Sequence, residues 1–116
     1  MGDHVEQIRP LDASMDEEWS RRTREPHLRA VSASRHRDGH WWWVGVDVME
    51  FVRTEPLESE LRRRIAEALA GVGGVTGVEE EDREVWTVTG TPAGRALVEA
   101  VAQVVDDLAD RTRGAF

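Results

Sequence analysis

Three tryptophans in succession, Trp41, Trp42 and Trp43, follow the turn-forming pair Asp38-Gly39. This run strongly constrains the local fold of the chain. Side chains alternate between the two faces of a β-strand, so a strand here sends Trp42 to one face and Trp41 and Trp43 to the other. Both faces of the sheet then carry indole rings. One face packs into a core, and the other needs a partner, a ligand or cover from the chain itself.

Asp-Gly between extended segments is typical of a two-residue type I′ hairpin, in which opposed residue numbers sum to 77. This register predicts an apolar core face made of Val31, Ala33, Trp42, Val44, Val46 and Val48. The second face is mixed and consists of Ala30, Ser32, Ser34, His36, Trp41, Trp43, Gly45, Asp47 and Met49, with Phe51 extending it.

Further elements follow the hairpin, whose two strands we expect over 28–34 and 41–52. An apolar stripe at helical spacing after Glu55-Pro56 predicts a helix over 57–70, which Gly71 ends. A second hairpin is expected over 75–80 and 84–89, and a second long helix over 93–112.

This ββαββα order predicts the α+β class, with a four-stranded antiparallel sheet that carries both helices on one face. We interpret it as a permuted ferredoxin-like architecture, in which the first strand takes the edge that lacks a final strand. The other face of the sheet would lie open.

The N-terminal residues 1–27 are expected to form a flexible arm before a single domain over 28–112, with a tail over 113–116. Ser14 and Glu17 have the spacing of a capping box, which predicts a short helix from Met15 to Arg24. Such a helix is an alternative cover for the second sheet face, through Met15 and Trp19.

Size and composition bound the possible functions. A chain of 116 residues with net charge −8 is expected to be one soluble domain whose surface repels nucleic acid and anionic membranes. The absence of cysteine excludes disulfides and thiol catalysis. No apolar run reaches the roughly 20 residues of a membrane span, and the first residues lack the order of a signal peptide, so a cytoplasmic location is expected.

The second sheet face is the strongest candidate for a functional site. We expect it to bind a partner or ligand through Trp41, Trp43, Asp47, Met49, Phe51 and His36. The leading hypothesis is a non-enzymatic domain that forms a homodimer or docks an unidentified protein through this face. The alternative hypothesis is a small-ligand sensor of the ACT type, which shares this architecture and often binds its effector between subunits.

Other candidate sites are weaker. The segment 20–40 holds six arginines against two acids, and Arg29, Arg35 and Arg37 are candidates for anion binding, which makes nucleic-acid binding the third hypothesis. His36, Asp38 and His40 have metal-ligand side chains, but a two-residue hairpin places the two histidines on opposite faces, so no metal site is predicted. We predict no catalytic group and no cofactor.

Overall fold

The computed structural model describes residues 5–10, 12–23, 29–47, 56–82 and 84–112. These residues form a mixed α+β structure of six strands and two helices. In chain order the elements are β1 (Glu6–Ile8), β2 (Met15–Thr23), β3 (Arg29–His36), β4 (Trp41–Asp47), α1 (Leu57–Ala70), β5 (Val75–Asp82), β6 (Val85–Gly90) and α2 (Gly94–Thr112).

The six strands make one antiparallel sheet in the order β1-β2-β3-β4-β6-β5. Both helices pack on the same face of this sheet, because the apolar stripe of each joins one buried cluster with alternate residues of β3, β4 and β6. The most deeply buried members are Ala33, Val44, Ile65, Leu69, Trp86, Val88, Leu97, Val98, Val101 and Leu108. The opposite face of the sheet carries neither helix, and we call it the open face.

Helix α1 has the bounds that its sequence pattern predicts. Leu61, Ile65 and Leu69 are buried at helical spacing, while the first turn carries Glu58 and Glu60, whose charges favour a helix N-terminus. The helix ends at Gly71, whose backbone N–H donates to carbonyls of the last turn.

The predicted helix from Met15 to Arg24 is wrong, because Met15–Thr23 forms strand β2 and pairs along β3. Ser14 does not cap a helix. Its backbone N–H and its hydroxyl both donate to the carboxylate of Asp12, at 2.8 and 2.7 Å, in a turn that starts the strand. An isolated helix of ten residues is marginal in water, whereas the nine residues of β2 pair along the whole of one edge with β3.

The predicted sheet of four strands is also wrong, because β1 and β2 extend it to six. Residues 5–10 and 12–23, for which the sequence predicts a flexible arm, therefore contribute the edge of the sheet beyond β3. Val5 is buried in the main cluster, and Met15 is 6% exposed. The α+β class is confirmed, but the permuted ferredoxin-like arrangement is not.

The hairpin between β3 and β4 has the predicted register but a different turn. Ser34 lies opposite Trp43 and Val31 opposite Val46, so the opposed numbers sum to 77 as expected. The loop has four residues, 37–40, because the strands end at His36 and begin at Trp41. Gly39 has a positive φ of 77° and Asp38 does not, which excludes a type I′ turn. A longer loop centred on the same peptide bond leaves the register unchanged.

The two edges of the sheet differ in character. The β1 edge is three residues long, while the β5 edge is eight residues long and ends in the acidic run Glu79, Glu80, Glu81 and Asp82.

No helix in the described part of the chain is long and apolar enough to cross a membrane.

Candidate functional site

The open face displays two of the three consecutive tryptophans. Trp42 is 3% exposed in the core, while the next residue, Trp43, is 45% exposed, and Trp41 is half-buried. This difference follows from strand alternation, because β4 lies between β3 and β6 with its Trp42 side covered by helices. Of the large apolar side chains that the structure describes, Trp43 is the exposed one.

Small, uncharged residues surround the two indole rings. Ser34 on β3 and Thr87 on β6 lie directly opposite Trp43 on either side. We define the aromatic face as ten open-face residues of the three strands β3, β4 and β6: Ala30, Ser32, Ser34, His36, Trp41, Trp43, Gly45, Val85, Thr87 and Thr89. Asp47, the last residue of β4, lies at the end of this face opposite Ala30 and is not part of it. The aromatic face holds no carboxylate and no guanidinium group, although 33% of the chain is charged.

Acidic residues flank the aromatic face on the outer strands. Register places Glu18 of β2 beside Ser34, Glu6 of β1 beside Ser20, and Glu79 of β5 beside Thr87. Arg22 of β2 lies on the same register, beside Ala30. The open face therefore has a neutral centre and a periphery in which acidic residues outnumber basic ones. This is the distribution of a protein interface, where charge is depleted at the core and concentrated at the rim.

His36 and Trp41 form a stacked pair at the hairpin end of the aromatic face. Their ring centroids are 4.4 Å apart and the planes are inclined by 19°. His36 Nδ1 lies 3.1 Å from a carboxylate oxygen of Asp38. The backbone N–H of His40 donates to the same carboxylate at 2.9 Å, and this bond, with a smaller effect of His36, holds the pKa of Asp38 below its usual value of 3.8. The stack and the ionised Asp38 fix one end of the face.

The structure describes the other predicted members of the site only in part. Asp47 is the last residue of β4, on the open-face register opposite Ala30, and its side chain lies outside the described part of the structure. Met49 and Phe51 lie outside the described residues.

Among the residues that are described, no group of three or more His, Cys, Asp or Glu side chains is placed to hold a metal ion.

Two of the three candidate anion-binding arginines bond to β2 or to the turn before it. Arg35 donates to both carboxylate oxygens of Asp16, at 3.0 and 3.4 Å, and lies 3.4 Å from Glu17, and this pairing raises the pKa of Arg35. Arg37 donates twice to the backbone carbonyl of Ala13, at 3.0 and 2.6 Å. The side chain of Arg29 lies outside the described part. Because Arg35 and Arg37 already have these partners, the geometry does not favour the nucleic-acid hypothesis.

Trp19 is a structural residue that the sequence pattern assigned to a helix. It projects from β2 on the helix side of the sheet, where its ring packs against the core and its Nε1 donates to Glu17 at 2.6 Å. The guanidinium carbon of Arg95 lies 5.5 Å from the ring centroid. Trp19 therefore does not cover the open face. The alternation of Glu17, Trp19 and Arg21 on one side of a strand was the available signal.

A groove of about 370 Å³ lies on the helix side, between α2 and the strands β1 and β2. Arg21 and Asp106 form an ion pair of 2.7 Å across it, and Arg95 lies 3.8 Å from Glu99. Arg95 also donates to the carbonyl of Val5 at 3.2 Å. These contacts attach β1 and β2 to α2, so we assign the groove a structural role.

Comparisons with family models, with curated proteins and with solved structures give no match to this chain.

Proposed function

We propose that the chain is a non-enzymatic interaction domain that docks a protein surface through its aromatic face. One observation carries the proposal: Trp43 is 45% exposed at the centre of the aromatic face, whose ten residues include no carboxylate or guanidinium group. Tryptophan is enriched among the residues that dominate binding energy, and charge is depleted at interface cores.

The electrostatics support a protein surface over a nucleic acid. Phosphate backbones bind to clustered arginine or lysine, but the open face has Glu6, Glu18 and Glu79 around its centre. The whole chain has a net charge of −8, which adds to the repulsion. A neutral or partly apolar protein surface meets no such penalty.

The first prediction uses two adjacent tryptophans as a matched pair. We expect Trp43→Thr to change the free energy of unfolding by no more than about 0.5 kcal/mol, because exposed positions contribute little and threonine suits a strand. The same change at Trp42, which is 3% exposed, is expected to cost at least about 3 kcal/mol through loss of a buried ring. Urea unfolding of dilute protein, where association adds little stability, measures both values.

A loss at Trp43→Thr as large as that at Trp42→Thr would contradict the proposal. It would mean that Trp43 packs inside the folded chain, as an internal cover of the open face requires.

A further inference from the structure

We infer that the aromatic face binds a second copy of this chain, with the two sheets packed face to face about a two-fold axis parallel to the strands and midway between β3 and β4. This inference rests on the proposed docking role of the face and names its partner. It follows from the area of the face, its surface shape and its charge.

The area of the sheet determines how far the two copies overlap. Strands about 4.8 Å apart and about 20 Å long give six strands a projected face of about 600 Å². Side chains roughen the surface, so the accessible area of the face is larger than this projected area. In a standard interface each partner buries roughly 800 Å², and the face approaches this value only if the second copy covers all of it. Full overlap requires the axis at the middle of the strand order, which lies between β3 and β4.

The shape of the face fits this axis. Trp41 and Trp43 form a ridge on β4. On β3, Ser34 lies at the level of Trp43 and Ser32 at the level of Gly45, and these two serines form a trough that ends where His36 stacks on Trp41. A two-fold axis parallel to the strands exchanges β3 with β4 but keeps the level along the strand. Trp43 of one copy then faces the partner copy's Ser34, which lies at the level of Trp43 in its own sheet. Large and small residues meet twice, as a symmetric interface requires.

The other two-fold axis in the plane of the interface gives a poorer fit. An axis perpendicular to the strands superimposes each strand on itself, so the ridge meets the ridge and the serine trough meets the serine trough. Two sheets packed about 10 Å apart have room for a large residue opposite a small one. With this second axis, the opposed indole rings would keep the sheets too far apart for the two serine troughs to make contact. The neutral centre removes the charge repulsion that two copies with net charge −8 would otherwise have at closest approach.

The test is the mass in solution, measured by light scattering after size exclusion across a concentration series. The wild-type chain is expected at twice the 13.1 kDa of one chain. Trp43→Ser removes the large residue and Ser34→Trp fills the small site, so each variant is expected at 13.1 kDa. The double variant Trp43→Ser, Ser34→Trp exchanges the two sites and is expected to restore the doubled mass. Arg63→Ser, on the exposed surface of α1, is the control that leaves the mass doubled.

Three outcomes would overturn the inference. They are a wild-type mass of one chain at every concentration, single variants that keep the doubled mass, and a double variant that is folded by circular dichroism but has the mass of one chain. If Ser34→Trp alone fails to fold, the wild type and Trp43→Ser decide the question. A monomeric wild type together with an unchanged stability of Trp43→Thr would remove the second copy and leave the docking role, whereas a core-like loss at Trp43→Thr would remove the docking role itself.

Discussion

Gly94, the first residue of α2, lies where two indole rings leave no room for a side chain. A Cβ atom at this position would come within 2.6 Å of Trp42 and would also overlap the ring of Trp19. Trp19 belongs to β2 and Trp42 to β4, so this one position brings the start of α2 against both strands. The absence of a single methyl group allows the helix to pack directly on the sheet.

We therefore expect Gly94→Ala to lower the free energy of unfolding by about 1–3 kcal/mol, because the added methyl overpacks a site between two rigid rings. Gly73→Ala is the matched control. A Cβ at Gly73 meets nothing within 4 Å, so the same change is expected to be neutral or slightly stabilising. Urea denaturation of the two variants checks the difference, and equal stabilities would show that the rings of Trp19 and Trp42 move apart at little cost.

At the residue level, the sequence predicted which side of the sheet each tryptophan of β4 occupies. Strand alternation alone separates Trp42 from Trp41 and Trp43, and an error of one residue would have reversed all three. The contacts within the face were not predictable. The stack of His36 on Trp41 depends on side-chain rotation, and the exposure of Trp43 depends on which face the helices cover.

Among the elements, the helices and the central strands were predictable from the sequence and the N-terminal strands were not. The spacing of Leu61, Ile65 and Leu69 is a local pattern that specifies a helix wherever it lies in the fold. The segment from Met15 to Thr23 is compatible with a helix or a strand, and it forms a strand because it pairs along β3, the next strand in the chain. A capping-box match is a local signal, and pairing with β3 overrides it.

Because β1 and β2 belong to the sheet, shortening the chain from its N-terminus should act in two distinct steps. Removal of residues 1–10 leaves β2 as the edge strand and loses the burial of Val5, so we expect the melting temperature to fall by only a few degrees, in line with about 1–2 kcal/mol. Removal of residues 1–27 uncovers the backbone edge of β3 and takes Trp19 from the core, and we expect cooperative unfolding to be lost.

Thermal melts followed by circular dichroism distinguish the two truncations. A chain that begins at residue 28 and melts as the full chain does would show that β2 is dispensable, and would restore the description of residues 1–27 as an arm.

For the whole molecule, the distribution of charge predicts how salt affects association. A face-to-face pair brings Asp82 at one rim close to the partner copy's Glu6, since the proposed axis exchanges β5 with β1 and the two residues lie at the same level along the strands. Each copy also has a net charge of −8. Added salt screens both repulsions, so we expect the dissociation constant to fall as NaCl rises from low to physiological concentration.

Sedimentation velocity at matched protein concentrations measures this dependence. Asp82→Asn is expected to reduce the effect of salt, whereas Arg63→Gln on α1 should leave it in place. Dissociation on adding salt would show that attractive charge pairs hold the two copies together, which contradicts a neutral interface centre.

The acidic run on the outer strand β5 has a consequence for concentrated solutions. An uncovered strand edge is a template for adding further chains, but four adjacent carboxylates from Glu79 to Asp82 make a like-charged neighbour unfavourable there. At the opposite end of the sheet, β1 offers a template of only three residues. Growth of the sheet into a fibril is thus discouraged in both directions at neutral pH.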